Sequence, residues 1–260
     1  MNKDVSLTVI TPNYNGEKFI EETIQSVISQ SDKNFEYILF DALSNDNSKK
    51  IIEKYKKHIS LIRYKEDNGI YDAVDQAIKT SKGNIIIWLN SDDLLHIDAV
   101  KNIKKIFNYD NKISWISGIN SYIKKGFKFS LIPYHYPKKI IKYGYAHHNY
   151  WGFIQQESVA FKKKLYFESG GLKSSFGNAG DYHLWKAFSN LTSLKSFNIK
   201  IGYFRSWKGQ NSIIEKDKYF EDTMIRKSFY SFRLIRFIIS LVLFPYYFFL
   251  TNKILRNNKK

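Results

Sequence analysis

Two adjacent carboxylates follow a short apolar segment in the first half of the chain. Asp92 and Asp93 come soon after residues 84–89, which are nearly all apolar and predict a strand covered on both faces. Neighbouring carboxylates in a loop are hard oxygen ligands that suit Mg²⁺ or Mn²⁺, with a phosphate completing the shell. Alternatively, one of them caps a helix that begins at Leu94, a role that aspartate fills well. The spacing leaves both roles open.

Two further acids could act on a substrate. Asp41 ends a predicted strand, where it could accept hydrogen bonds from a base or a ribose, or simply be a solvated loop acid. Asp181 opens a predicted helix, where an acid usually stabilises the helix start. In a cleft beside a substrate hydroxyl, the same acid would be a general base. Spacing does not choose between these roles.

Strands and helices alternate over the first hundred residues and would position these acids. Periodicity predicts strands at 5–10, 35–40, 60–64 and 84–89, and helices at 17–30, from the polar loop 44–48 to near 57, at 70–80 and at 94–107. The alternation favours an α/β fold with a mostly parallel, doubly wound sheet. Ligands of such sheets bind beyond the carboxyl ends of the strands, which is where Asp41 and Asp92 lie in the sequence.

The pattern changes beyond residue 108 and predicts a mixed second half. Strands are expected at 113–119, 122–131, 153–161 and 196–204, with short helices at 164–169 and 181–189. No repeat or low-complexity linker interrupts this part. We therefore expect one domain over residues 1–225, followed by a tail at 226–260.

Composition excludes several classes of protein. The 260 residues contain no cysteine, which rules out a disulfide framework, a thiolate zinc site and a cysteine nucleophile. No apolar run of the length that a signal peptide needs follows Asp4, so no signal peptide is expected. The 41 Lys and Arg against 24 Asp and Glu give a net charge of +17, which indicates a partner with negative charge, either membrane lipid or nucleic acid.

The tail combines basic and apolar residues. Residues 226–260 contain basic side chains and no acid, and residues 237–250 are apolar or aromatic apart from Ser240. This run is shorter than the ~20 apolar residues of a spanning helix. Basic flanks and aromatic rings favour a segment lying on an anionic membrane surface. Packing against the core or an oligomer contact is the alternative.

Several motifs, in this order and spacing, resemble the family 2 inverting glycosyltransferases of the GT-A fold, which build bacterial O-antigens, capsules and other surface glycans. The resemblance covers about residues 5–212. It is carried by TPNYN at 11–15, by Asp41, Ser44 and Asp46, by GIYDA at 69–73, by NSDD at 90–93, by GGL at 170–172 and by DYHLW at 181–185.

The resemblance assigns roles to individual residues. Donor-binding residues would be Thr11, Pro12, Asn13, Tyr14, Asp41, Gly69, Asp72, Asn90 and Ser91. Asp92, with Asp93, would bind Mn²⁺ or Mg²⁺ at the diphosphate, and Asp181 would be the catalytic base. Sugar or acceptor contacts would come from Gln155, Gln156 and Trp185.

The resemblance also implies a function and an organisation. Residues 1–110 would bind a nucleoside-diphosphate sugar, with UDP the expected nucleotide, and residues 111–225 the acceptor. That acceptor would be a glycan hydroxyl, linked to a polyprenyl diphosphate at the cytoplasmic face of the bacterial inner membrane, where the tail would hold the enzyme. The Gln-X-X-Arg-Trp pattern of processive synthases does not follow Trp185, so transfer of a single sugar is expected.

Two departures from the family pattern keep alternatives open. Asn90 stands where the first acid of the metal motif is commoner, and Trp207 stands where the family often has a histidine that helps with metal or diphosphate. Lys208 or Arg205 could neutralise the diphosphate instead. An inactive, membrane-bound scaffold that binds nucleotide sugar is one alternative. A nucleic-acid-binding protein is another, although the basic excess lies beside an apolar run rather than on a recognition element.

Overall fold

A mixed seven-stranded sheet forms the centre of the computed structural model, which describes residues 5–147, 150–173, 176–208, 210 and 233–256. Its strands, in spatial order, are β10 (Lys195–Ser196), β6 (Trp115–Ser117), β9 (Val159–Lys162), β4 (Ile85–Trp88), β1 (Leu7–Asn13), β2 (Glu36–Asp41) and β3 (Leu61–Tyr64). All neighbouring pairs are parallel except those of β9, which runs antiparallel to β4 and β6. The mostly parallel sheet predicted from the sequence is confirmed.

Helices cover both faces of this sheet. They are α1 (Ile20–Ile28), α2 (Ser48–Lys54), α3 (Ile70–Thr80), α4 (Ala99–Tyr109), α5 (Lys138–Lys142), α6 (Lys163–Glu168) and α7 (Gly180–Leu191). Alternate residues of β1 point to opposite cores: Val9 packs with α1 and α4, and Ile10 packs with α3 and α7. This two-sided burial explains why β1 and β4 are apolar almost throughout.

A second, four-stranded sheet differs from the sequence prediction. It has the order β5 (Leu94–Leu95), β11 (Gly202–Ser206), β7 (Ser121–Lys124) and β8 (Phe127–Ser130). A helix at 94–107 was expected, but Leu94 and Leu95 pair with β11 and the helix begins at Ala99. The single strand expected at 196–204 is divided between the two sheets, because the chain crosses from one to the other over residues 197–201.

The C-terminal helix α8 (Arg233–Arg256) is longer than the apolar run seen in the sequence. Its segment Leu234–Arg256 has a mean hydropathy of 1.9 and is long and apolar enough to cross a membrane, a test that core helices of soluble proteins also pass. The expectation that this part of the chain is too short to span is therefore wrong on length. The predicted domain boundary at residue 225 lies outside the described residues.

The inner face of α8 packs on the domain through polar groups and through apolar side chains that include Leu250 and Ile254. Ser240 and Thr251 accept hydrogen bonds from the backbone N–H groups of His135 and Asn198, at 3.2 and 2.9 Å. The hydroxyl of Tyr247 lies 2.7 Å from His135 Nδ1. The outer face exposes large apolar side chains, among them Leu234, Val242 and Phe249.

Candidate functional site

A polar network joins the carboxyl ends of β1 and β2. Asp41 is 1% exposed, and its Oδ2 accepts hydrogen bonds from Asn13 Nδ2 and Ser44 Oγ, both at 2.7 Å. Its Oδ1 accepts the Ser44 N–H at 2.8 Å. The network fixes the loop after β2 against the end of β1. Thr11 and Pro12 are buried within β1, whereas Tyr14 is 63% exposed at the mouth of this loop and free to stack on a flat ring.

The start of α3 is tied to the start of α7. The Tyr71 hydroxyl donates a hydrogen bond of 2.6 Å to the carbonyl of Asn178. A Cβ on Gly180 would lie 2.7 Å from the Tyr71 ring, so only glycine permits this contact. The close approach places Asp181, in the first turn of α7, beside the parallel sheet's carboxyl edge. Asp72, in the first turn of α3, has its pKa lowered by the backbone N–H of Asn68.

Asn90 and Ser91 continue this edge after β4. The indole N–H of Trp88 donates to Asn90 Oδ1 at 2.8 Å. The carbonyl of Ser91 accepts the Thr23 hydroxyl from α1, also at 2.8 Å. A Cβ on Gly16 would lie 3.2 Å from Ser91 Oγ, so the loop after β1 approaches this segment closely.

Asp92 is held by groups from β11 and the residue that follows it. Its Oδ2 accepts the indole N–H of Trp207 at 2.9 Å, and its carbonyl accepts Arg205 Nε at 2.7 Å. Burial raises the pKa of the Asp92 carboxyl, while the Trp207 N–H and the Arg205 charge lower it. Trp207, which stands where the family often has a histidine, therefore contacts the predicted metal ligand Asp92 directly.

Asp93 is fully buried and faces inward. Its Oδ1 accepts the backbone N–H of Arg205 at 2.8 Å, and its carbonyl accepts the Thr23 hydroxyl. Burial, with the charges of Asp92 and Glu157, raises the pKa of its carboxyl well above the usual range. The alternative in which Asp92 or Asp93 caps a helix beginning at Leu94 is wrong, because α4 begins at Ala99 with Asp98 in the capping position.

Glu157 directly follows Gln155 and Gln156, in the stretch for which the resemblance predicts sugar or acceptor contacts. It is 2% exposed, accepts a hydrogen bond from Gln155 Nε2, and has its pKa raised to about 8, chiefly by burial. The charges of Asp92 and Asp181 also raise this pKa. The sequence carries no signal of this burial, because it comes from contacts of residues 156–158 with β4 and β11, which are distant in the chain.

Asp181 lies half-buried at the start of α7, and its Oδ1 accepts the N–H of Tyr182 at 2.8 Å. The N-cap position of α7 belongs to Ala179 rather than to Asp181. The carboxylate of Asp181 therefore combines a favourable position at a helix start with proximity to Glu157.

The predicted acceptor residues have structural partners. Gln155 exchanges two hydrogen bonds with the backbone of Ser121, and Gln156 Nε2 donates to the carbonyl of Trp88. Trp185 is 3% exposed and stacks on Trp115 with ring centres 5.7 Å apart. The inward face of α7 thus places the Trp185 ring in the core rather than on a surface that a sugar could reach.

The arrangement suits a cation that draws most of its ligands from elsewhere. Within the described ranges, no group of three His, Cys, Asp or Glu side chains could hold a metal ion. Mg²⁺ and similar ions, however, commonly bind through one or two carboxylates together with substrate phosphates and water. Asp92 fits that pattern, since its carboxylate is partly exposed and, among the residues that the structure describes, accepts a single side-chain hydrogen bond, from Trp207.

Comparison with protein families matches residues 8–171 to the model for "Glycosyl transferase family 2". TuaG of Bacillus subtilis, whose name assigns it to teichuronic acid biosynthesis, is 34% identical over 90 residues, covering 34% of this chain and 36% of that protein. Chondroitin synthase of Escherichia coli is 25% identical over 216 residues, covering 81% of this chain and 30% of that enzyme. The chain thus spans about a third of the length of these relatives.

Among solved structures, that of S. aureus TarS in complex with UDP-GlcNAc is similar, with a TM-score of 0.67 and 17% sequence identity. The match covers 84% of this chain and 64% of that one. At this level of identity the likeness shows a shared fold, the α/β fold expected from the resemblance.

Proposed function

The chain belongs to glycosyl transferase family 2, and from this premise we propose that it transfers one sugar from a nucleoside-diphosphate sugar to a hydroxyl of a glycan acceptor, with inversion at the anomeric carbon. UDP is the proposed nucleotide. The position of Tyr71 supports this most directly, because its ring lies 5.8 Å from the ring of Trp88, at the end of β4, and directly against Gly180, the residue before Asp181. We therefore assign the acid proposed for the diphosphate and the acid proposed as base to one site.

Each half of the reaction is assigned to one of these acids. An acceptor hydroxyl is a poor nucleophile at neutral pH, and Asp181 takes its proton as the oxygen attacks the anomeric carbon. The glycosidic oxygen–carbon bond to the diphosphate breaks on the opposite face, so a single displacement inverts the centre. The loop held by Asn13 and Asp41, with the exposed ring of Tyr14, would bind the nucleoside.

Asp92 would hold Mn²⁺ or Mg²⁺ at the diphosphate, and such a cation would supply positive charge against the charge that develops on the leaving group. The Trp207 N–H orients the carboxylate of Asp92, and the Arg205 guanidinium holds the backbone of the same residue. Arg205 is also paired with Glu22 at 2.8 Å, so it serves the loop rather than the diphosphate in our proposal.

The acceptor is proposed to be a polyprenyl-diphosphate-linked glycan of bacterial surface polysaccharide synthesis, at the cytoplasmic face of the inner membrane. Helix α8 supports this, because its inner face is bonded to the domain and its outer face exposes large apolar side chains. Lys253 and Arg256, in its last turn, suit an anionic leaflet, whereas the Arg236 guanidinium lies over the Tyr134 ring of the domain.

A donor screen tests the proposed activity. The full-length protein in mild detergent is incubated with UDP-, GDP- and dTDP-sugars, with and without Mn²⁺, and released nucleoside diphosphate is measured. Slow, Mn²⁺-dependent hydrolysis of one donor that is lost in Asp92→Ala supports the proposal and identifies the nucleotide. If no donor is hydrolysed and none binds, the transferase proposal fails. If a donor binds but is turned over neither alone nor with a lipid-linked acceptor, the inactive scaffold is favoured.

A further inference from the structure

A pocket of about 410 Å³ is lined by Trp207, the residue whose indole N–H is bonded to Asp92. It is formed by the β7–β8 hairpin, the end of β11 and the start of α1, and its aromatic wall is made by Phe19 and Trp207. These two rings meet edge to face at 5.1 Å. Trp207 thus borders both the pocket and Asp92, and Asp92 itself does not line the pocket.

Lysine side chains surround this pocket. Lys124, Lys125 and Lys208 line it, and the Lys18 ammonium lies 4.6 Å from the Trp207 ring centre. Lys125 and Gly126 have φ values of 50° and 83°, the left-handed pair of a tight two-residue hairpin turn. Residue Lys124 is held next to β11 by its register with Ser206. The turn and the register therefore fix two adjacent lysines at the mouth of the pocket.

The positive charge of the pocket lacks a compensating acid among the described residues. No carboxylate there forms an ion pair with Lys18, Lys124, Lys125 or Lys208. The carboxylate of Glu22 is bonded to Arg205, which is itself stacked 4.4 Å from the Phe19 ring. Clustered like charges repel one another, so an anion placed among them would be bound and would relieve the repulsion.

We propose that this pocket binds a phosphate or diphosphate group that is distinct from the diphosphate of the donor. Its volume is sufficient for such a group, and ammonium groups are common phosphate ligands. The source of this group is the diphosphate of a lipid-linked acceptor. Only this identification of the source rests on the proposed function. Phe127 and Phe129, 79% and 46% exposed on the same hairpin, would suit the adjacent lipid surface.

Titration of inorganic pyrophosphate into the full-length protein, with and without saturating UDP, tests the pocket. Lys124→Gln/Lys125→Gln is compared with Lys128→Gln, which removes a lysine that lies on the same hairpin over the Tyr203 ring. We expect pyrophosphate to bind in the presence of UDP, at least ~10-fold more weakly to the double variant and unchanged in the control. Loss of pyrophosphate binding on adding UDP, or equal binding by the double variant, would overturn the proposal.

Vesicles distinguish the two sources of phosphate. Retention on phosphatidylcholine vesicles that contain a polyprenyl diphosphate, beyond retention on plain vesicles and lost in the double variant, identifies a lipid-linked group. Pyrophosphate binding without that difference identifies a soluble phosphate in the same pocket. Donor hydrolysis by water, measured separately, should persist in the double variant. A protein that binds pyrophosphate through these lysines but hydrolyses no donor would contradict the proposed function and leave the pocket established.

Discussion

The indole N–H of Trp207 donates a hydrogen bond of 2.9 Å to Oδ2 of Asp92, which joins the chain's departure from the family pattern to the acid at the centre of its site. A histidine at residue 207 could ligate a cation, whereas the indole N–H of tryptophan can only donate a hydrogen bond. The donated hydrogen bond favours the ionised form of Asp92 against the effect of burial. Trp207 thus acts on the carboxylate rather than on a bound group.

Replacing Trp207 by phenylalanine tests this role. Trp207→Phe keeps an aromatic ring but removes the N–H, so the pKa of Asp92 should rise further. Asp92 is ionised above its pKa and would bind Mn²⁺ in that form. As the pH is lowered, the variant should therefore lose Mn²⁺-dependent UDP binding at a higher pH than the unaltered protein does. Calorimetric titrations across pH measure this midpoint. Trp151→Phe, which removes an indole N–H bonded to the His135 carbonyl, is the control and should leave it unchanged.

The two adjacent aspartates should respond differently to substitution. Asp92→Ala should abolish the effect of Mn²⁺ on nucleotide affinity. Asp93→Asn should preserve it, because burial raises the pKa of Asp93 and so disfavours its charged form, and an asparagine oxygen can still accept the Arg205 N–H. Nucleotide affinity with and without Mn²⁺ is the measurement. If Asp93→Asn also abolishes the Mn²⁺ effect, Asp93 is a cation ligand as the sequence predicts, and the inward-facing role is wrong.

Asp181 carries the proposed general base. Asp181→Asn should reduce turnover by at least ~100-fold, since general base catalysis typically supplies that much or more. Its affinity for the sugar nucleotide should be unchanged, because Asp181 is assigned to the acceptor. Single-turnover rates and nucleotide titrations separate the two effects. Asp98→Asn, at the capping position of α4, is the matched control and should retain full turnover. Near-normal turnover in Asp181→Asn would show that Asp181 is not the general base.

The buried carboxyl of Glu157 should make stability depend on pH. Its pKa is about 8 in the folded protein and has an ordinary value of 4.5, so the folded state binds one more proton between these values. The free energy of unfolding should therefore fall as the pH rises from about 4.5 to about 8. Glu157→Gln should flatten this decline, while Glu168→Gln, an exposed acid on α6, should not. Urea denaturation at several pH values provides the measurement. Parallel curves for both variants would show that Glu157 is ionised throughout.

Local sequence patterns predicted the elements that depend on local packing. The helix expected at 70–80 matches α3, because its buried residues repeat at helical spacing and Gly69 begins it. Leu94 and Leu95 were wrongly predicted to be helical, because a buried pair of apolar residues is equally compatible with the start of a helix and with a short strand. Pairing with β11, more than a hundred residues later in the chain, decides between them.

The same limit explains the candidate site. The positions of Asp41 and Asp92 could be predicted, since Asp41 ends β2 and Asp92 follows β4, both at the carboxyl ends of parallel strands. The contact of Tyr71 with Gly180 and the bond from Trp207 to Asp92 join distant segments, and neither residue type signals such a partner in the sequence. The burial of Glu157, and with it the raised pKa of its carboxyl, depends on segments that are distant in the sequence and could not be predicted.

Helix α8 should bind a membrane along its length rather than cross it, because Ser240, Tyr247 and Thr251 are bonded to the domain along the helix. Val242→Glu/Phe249→Glu changes side chains that are 71% and 69% exposed and should weaken binding to anionic vesicles at least ~10-fold. Tyr109→Glu, on α4, should not. Vesicle sedimentation is the measurement, with thermal unfolding to verify that both variants fold. If the double variant sediments like the unaltered protein, the outer face of α8 does not contact lipid.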